Sequence, residues 1–201
     1  YIRALTYFAN EDLSAFVLDI RKDRLYCGAS DWLERRAYRT VLDTLFQALI
    51  RYTAPILVYT AEEVWQNRYP DSGSVHLLEW PEVPTADADA ERWGKLRELR
   101  ETVMEAIEPL RREKIIRSGL EADVIVPESS VPDGFADSDL ADLFIAASVT
   151  RSQGDGVKVT RTSDHKCGRC WRLLPEVTED GALCGRCDDV VAGFDASEGA
   201  T

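Results

Sequence analysis

Four cysteines near the end of this 201-residue chain have spacing that does chemistry. Cys167-Gly168-Arg169-Cys170 is followed, after 13 residues, by Cys184-Gly185-Arg186-Cys187. Two cysteines three apart on a tight turn can aim both sulfurs at one ion, and a glycine behind the first cysteine of each pair lets the backbone turn toward it. Two such pairs make a closed tetrahedral thiolate site of the structural zinc type. With all four positions filled by cysteine, no coordination site is left for a reacting water, so metal catalysis is not expected. His165 lies close by but finds no vacancy and reads as an exposed polar residue. The expected role of one Zn2+ is folding. A module of about 30 residues has little core, and structural zinc supplies on the order of 10–16 kcal/mol of apparent free energy. Disulfides or reactive thiols are the competing reading; clustered pairs in a chain without a secretory signal favour metal.

Arg169, Trp171, Arg172 and Arg186 surround the cysteines. Either Trp171 packs over the module and the arginines are solvated, or Trp171 offers a stacking face to an unpaired base and the arginines meet phosphates. Two more basic groups are candidates for phosphate contact. Arg21, Lys22 and Arg24 lie off an apolar stripe of Leu13, Phe16 and Ile20. Arg35, Arg36 and Arg39 share a helical face with Trp32, opposite an expected Val41–Leu45 core. Arg111, Arg112 and Lys114 form a third cluster near Pro109. Ion pairing on a solvated face is the plainer account of each.

The net charge is −12, which argues against a polyanionic partner until its distribution is examined. Residues 1–60 hold eight basic and seven acidic side chains, and residues 158–187 hold six and four. Residues 61–157 hold ten basic and 21 acidic ones. Two segments thus stay clear of the acidity. No apolar run approaches the roughly 18–20 residues of a membrane span, and no signal peptide is visible, so a cytoplasmic location is expected. With His76 and His165 the only histidines and no paired nucleophile and base, nothing points to a hydrolase or redox site. The chain begins at Tyr1 inside a helical pattern and reads as a piece of a longer protein.

The elements that must position these residues are mostly helical. Residues 1–26 read as one helix whose apolar pattern is interrupted at Asn10, Glu11 and Asp12. A turn at 27–31 precedes a helix from Trp32 to Tyr52, with Val41, Leu42, Leu45 and Leu49 on one face and Pro55 ending it. Thr60 and Glu63 fit a capping box that starts a helix through Tyr69. VHLLEWP at 75–81 reads as extended. A long helix over about 89–116 carries Trp93, Leu96, Val103 and Ile107, with Pro109 expected either to kink it or to mark a junction. Then the pattern shifts: ADVIVP is a strand, 138–145 a short helix, and 147–153 and 157–163 are strands joined as a hairpin through Gly154-Asp155-Gly156. Trp65, Trp80, Trp93 and Cys27 read as packing residues.

These stretches also carry a resemblance. DLSAFVLDIRKDRLYC at 12–27, TVLDTLFQALIRYTAPILVYTAEEVWQ at 40–66 and SVHLLEWP at 74–81 resemble the anticodon-binding domain of bacterial isoleucyl-tRNA synthetases. CGRCWR…CGRC resembles the zinc finger at that family's C-terminus, a type shared with certain DNA glycosylases. The related valyl and leucyl enzymes lack that finger. The family pattern K-x-I-G-x-S-L-E-A reads here as Lys114-Ile115-Ile116-Arg117-Ser118-Gly119-Leu120-Glu121-Ala122, with Arg117 where the family has glycine. The HIGH and KMSKS motifs of the class I catalytic fold and the editing domain are absent.

The resemblance implies a mainly α fold in four parts. A helical anticodon-binding bundle spans 1–117, truncated at its N-terminus. A small α+β junction region spans 118–163, a zinc finger 164–192 and a flexible tail 193–201. It implies a monomer that binds the anticodon arm of isoleucine tRNA, contacts neither membrane nor duplex DNA, and leaves ATP-dependent activation to the full-length enzyme. A zinc-stapled interaction module and a DNA-glycosylase-type zinc-finger protein are the rival readings.

Overall fold

Ala122, Val124 and Val126 are fully buried and alternate with half-buried neighbours, the period-two signature of a strand covered on one face. They form β1, Ala122–Pro127, the centre of a three-stranded sheet. The computed structural model describes residues 1–85 and 88–198, the last four of these by backbone alone. It divides into two units, Tyr1–Ala29 with Asp89–Thr201, and Ser30–Ala88. The fold is mainly α with a small α+β part, as the sequence implied.

In the first unit β1 pairs parallel with β2, Ser148–Ser152, and antiparallel with β3, Lys158–Arg161. The expected hairpin between β2 and β3 is not formed. The sheet order is β2-β1-β3, so residues 153–157 cross the end of β1, a span of roughly 10 Å or two strand spacings. β1 has the apolar alternation to sit between two partners, whereas the polar β2 and β3 suit the edges. A parallel β1–β2 pair needs a crossover, and Asp137–Phe144 supplies it as a helix, close to the predicted 138–145. Its Leu140, Ala141, Leu143 and Phe144 are buried against the sheet.

The predicted first helix is continuous but not uniform. α1, Ile2–Tyr7, and α2, Asp19–Cys27, flank a π-helical stretch at Phe8–Leu18. The widened i→i+5 ladder begins two residues before Asn10, where the 3.6-residue apolar pattern breaks. Phe16 is buried, with the guanidiniums of Arg97 and Arg100 at 4.3 and 5.8 Å from its ring centroid. Asp12 and Asp19 take up the same two arginines, at 2.7 and 3.4 Å.

Those arginines belong to the unit's long helix. Numbered in chain order after α3 (Leu33–Thr53) and α4 (Val58–Arg68), it is α5, Ala90–Arg112, and the crossover helix is α6. Leu96, Leu99, Val103 and Ile107 of α5 bury one stripe. Pro109 lies inside its last turn, where a missing N–H costs little because the helix ends three residues later. The end is a Schellman turn. Ile115 N–H donates to Leu110 O (2.9 Å) and Lys114 N–H to Arg111 O (3.1 Å). Lys114 occupies the left-handed position, φ 59, that glycine fills most cheaply. Gly119 is fixed by close approach: a Cβ there would stand 2.8 Å from Ile145 O.

The expected boundary at 117 does not separate the two units, because the first and fifth helices pack with the sheet in one core. In the second unit, Ile50, Ala54, Ala61, Trp65 and Val75 form the core, with Phe46, Tyr69 and Leu78 against it. Three features of this unit differ from expectation. Val41 is half exposed, because the buried face of α3 runs through Phe46 and Ile50 instead. α4 begins at Val58 without a side-chain cap; Glu62, not Glu63, is engaged, accepting from Ser74 Oγ (2.8 Å) and Val75 N–H (3.0 Å). These bonds coil Val75–Leu77 into a single 3-10 turn where an extended segment was expected. Trp65 is core, while Trp80 and Trp93 are partly exposed and make ring contacts with Tyr52 and Phe135.

Candidate metal centre

A two-residue ladder, β4 (His165–Lys166) with β5 (Leu173–Leu174), closes a hairpin around the first cysteine pair. The second pair opens α7, Gly185–Glu198, with Cys187 in its first turn. Gly168 lies against the backbone of Gly181: a Cβ would fall 2.5 Å from Gly181 O. Gly168 N–H donates to Ala182 O (3.0 Å) and Gly181 N–H to Lys166 O (2.9 Å). This strapping brings the two halves of the knuckle together. The helix runs on to Glu198, so the start of the expected tail is helical; residues 199–201 lie outside the described residues.

Cys167, Cys170, Cys184 and Cys187 are buried, unbridged, and have their sulfurs all within 4.8 Å of one another. Four sulfurs about 2.3 Å from a tetrahedral zinc stand about 3.8 Å apart, and Cys170 Sγ to Cys184 Sγ is 3.9 Å. The cluster is compatible with a zinc site. Burial works against a Cys167 thiolate, but backbone N–H groups of Cys170, Cys184 and Arg169 outweigh it and hold its pKa down at about 6. Burial pushes the Cys170 thiol up to about 12 and that of Cys184 upward. Sulfurs this close repel as thiolates, so a bound cation is what lets all of them ionise together.

The arginines around the cysteines turn inward. Arg186 forks onto Asp23 of α2, and Arg172 Nη1 reaches Asp142 of α6 at 2.6 Å. Asp142 also accepts from Arg24 Nη2 (2.6 Å) and Nε (3.1 Å). Arg169 Nη1 donates to Cys27 O (2.7 Å) and lies 3.7 Å from Cys187 Sγ. Cys27 itself is half-buried against the four-cysteine cluster, its thiol pushed up to about 11 by burial and by the Asp23 charge. Four of the expected RNA contacts therefore fasten the knuckle and α2 in place. Their acceptors, Asp23, Asp142 and the Cys27 carbonyl, do not stand out in the sequence. No local spacing signals a pair separated by 163 residues.

The remaining candidates are placed differently. Trp171 is 62% exposed, sits in left-handed backbone (φ 65), and carries Lys166 Nζ 5.2 Å from its ring centroid. Lys22 is exposed and pairs with Asp19 at 2.7 Å; Arg21 is half-buried beside Trp93. Arg36 and Arg39 are exposed and Arg35 half-buried on the first turns of α3.

Residues 1–126 match the protein family described as the anticodon-binding domain of tRNA ligase. Curated relatives extend the likeness through the knuckle. Isoleucine–tRNA ligase of Zymomonas mobilis is 54% identical over 95% of this chain and 22% of its own length. Those of Gluconobacter oxydans and Agrobacterium fabrum are 46% and 40% identical over 94% and 89% of the chain and 21% and 20% of theirs. The chain spans about a fifth of the length of the curated relatives it matches. Among the described residues no helix is long and apolar enough to cross a membrane.

Proposed function

From the premise that this chain belongs to the anticodon-binding domain family of tRNA ligases, we propose that it is the tRNA-binding C-terminal part of an isoleucine–tRNA ligase. It binds the anticodon arm of isoleucine tRNA as a monomer in the cytoplasm. ATP-dependent activation of isoleucine and its transfer to tRNA belong to a class I catalytic region elsewhere in the longer protein. Cys167, Cys170, Cys184 and Cys187 hold one Zn2+, which crosslinks the knuckle and takes no part in the reaction.

One observation carries this reading. Trp171 is a large apolar ring held out from the knuckle in a strained backbone conformation while the arginines around it are drawn inward. A bulky residue in left-handed backbone costs about 1–2 kcal/mol and is kept where the exposed side chain has a use. An exposed indole next to a lysine is a stacking platform for an unpaired base. Arg36 and Arg39, with Arg21 and Lys22, remain the candidates for phosphate contact. Arg169, Arg172, Arg186 and Arg24 position the platform.

The test is a tRNA titration with Trp171→Ala. Base–aromatic stacking contributes roughly 1–3 kcal/mol, so isoleucine tRNA should bind about five-fold to a hundred-fold more weakly at unchanged zinc content and thermal midpoint. Equal binding by the variant, or wild-type binding of duplex DNA as tight as of the tRNA, removes the reading.

A further inference from the structure

The Schellman turn that ends α5 presents Arg111, Arg112, Lys114 and Arg117 around an open concavity of about 550 Å³, with Glu108 and Ile116 completing its lining. Four of the ten basic residues between 61 and 157 fall within these seven positions, in a segment with 21 acidic ones. Residues 111–115 and Arg117 are all exposed. Arg111 and Arg112 reach the single Glu108 carboxylate at 3.5 and 3.4 Å, long contacts on exposed side chains that solvent screens. Among the described residues, the side chains of Lys114 and Arg117 make no hydrogen bond or ion pair, although the Arg117 backbone N–H donates to Glu121 Oε2 (3.2 Å).

Backbone geometry singles out the same spot. Lys114 holds the left-handed position of the turn, which glycine would take without strain, and its backbone N–H is used by the turn itself. Its side chain is exposed and lines the concavity. Ile116 beneath is buried, which fixes the turn to the core and the cations to the turn. Positive charge concentrated on a rigid, otherwise acidic stretch is a local attractor for a polyanion.

We infer that the Arg111–Arg117 turn is a second RNA-contact surface, gripping the sugar-phosphate backbone of the RNA whose bases meet the knuckle; this rests on the tRNA-binding reading above. The concavity is open and cationic, with a buried isoleucine as its one apolar lining residue. It suits phosphates rather than a base, and it should give binding energy without sequence preference.

The test uses the whole chain with isoleucine tRNA titrated at several salt concentrations. Lys114→Gly combined with Arg117→Gln removes two charges without unfolding the turn, since glycine is at home at position 114. Each lost phosphate contact lowers the slope of log K against log salt by about 0.7–0.9. The double variant should therefore show a slope shallower by about 1 to 2 and several-fold weaker binding near physiological salt. Lys95→Gln, on the same helix but paired with Glu91, should leave the slope unchanged. If wild type binds tRNA and the double variant matches it in slope and affinity, the turn is no contact while the tRNA reading stands. Wild type that binds no tRNA overturns both. Polyglutamate binding lost in the double variant, with tRNA affinity intact, assigns the surface to an acidic protein segment and also overturns the inference.

Discussion

Arg186, between the two cysteines of the second pair, forks onto Asp23, 163 positions earlier: Nη1 to Oδ2 at 2.6 Å and Nη2 to Oδ1 at 2.8 Å. Both side chains are largely buried, with relative exposures of 30% and 25%, and the fork–fork geometry is the strong form of an ion pair. The metal knuckle is thereby clipped to α2 on one side, and Asp142 clips it to α6 on another. Removing one partner leaves the other charge uncompensated. Arg186→Met should lower unfolding stability by about 1–3 kcal/mol in chemical denaturation. A double-mutant cycle with Asp23→Asn should return a coupling energy of about 1 kcal/mol or more. Additive losses would mean that the pair is incidental.

The same pair makes a prediction about pH. Burial raises the Asp23 pKa, but the Arg186 hydrogen bonds and charge outweigh it and set it below the ordinary 3.8. A carboxylate with a depressed folded-state pKa stabilises the fold above its unfolded value and loses that contribution as pH falls through the folded one. The stability difference between wild type and Asp23→Asn should thus be constant from about pH 7 to about pH 5 and shrink below pH 3.8. A difference that grows on acidification would reverse the sign assigned to Asp23.

Much of this is legible in the sequence, for identifiable reasons. The cysteine pairs speak through local spacing, and the strand β1 and helix α6 through hydrophobic periodicity, because each depends only on neighbours in the chain. The carboxylate partners of the knuckle's arginines are not legible in the sequence because Arg172 and Asp142, or Arg186 and Asp23, meet only in the folded chain, and a charge beside a metal motif looks the same whether or not it faces a carboxylate. The β2–β3 hairpin fails for a similar reason: Gly154-Asp155-Gly156 permits a turn, but β1 is the better partner for both strands. Glu62 displaces the expected Glu63 cap because Ser74 and Val75 lie within its reach, a fact that no capping pattern encodes.

Metal removal should act locally. The amides of Cys167, Gly168 and Gly181 bond within the knuckle, where only a few small or aliphatic side chains pack around the cysteines, among them Val177, Leu174, Ala182 and Leu183, with Leu173 and Val190 also buried. So little core holds no fold without its crosslink. Chelation, or Cys184→Ser, should abolish hydrogen-exchange protection at these amides while α3 and α4 keep theirs, since their cluster around Trp65 shares no residue with the knuckle. Protection that survives complete zinc removal would make the metal dispensable.

Gly168 offers a finer probe of the same site. Alanine there places a methyl 2.5 Å from the Gly181 carbonyl oxygen; the oxygen is backbone and the methyl is fixed to Cα, so neither can swing aside. Relief requires the two halves of the knuckle to part, which widens the sulfur cluster. Overpacking of this kind costs about 1–3 kcal/mol. Gly168→Ala should weaken zinc affinity by about five-fold or more in competition with a chelating dye, whereas Gly193→Ala, where an added Cβ meets nothing, should not. Equal affinities would show that the hairpin yields elsewhere.

Lys114 sets stability against binding. Its left-handed backbone at the end of α5 is the conformation for which glycine is chosen, and relieving a non-glycine residue there returns about 1 kcal/mol. Two effects oppose that gain. Glycine has more unfolded-state entropy to lose, and the lysine charge interacts favourably with the C-terminal end of the helix dipole, by a few tenths of a kcal/mol on an exposed surface. Relief of strain outweighs both, so Lys114→Gly should raise the midpoint of thermal unfolding by one to a few degrees while reducing tRNA affinity. A lysine that lowers stability and adds nothing to binding would have no physical reason to stand there. A variant that is both less stable and unaltered in tRNA binding would show that the strain argument is wrong, because the dipole and the chain entropy would then outweigh the strain.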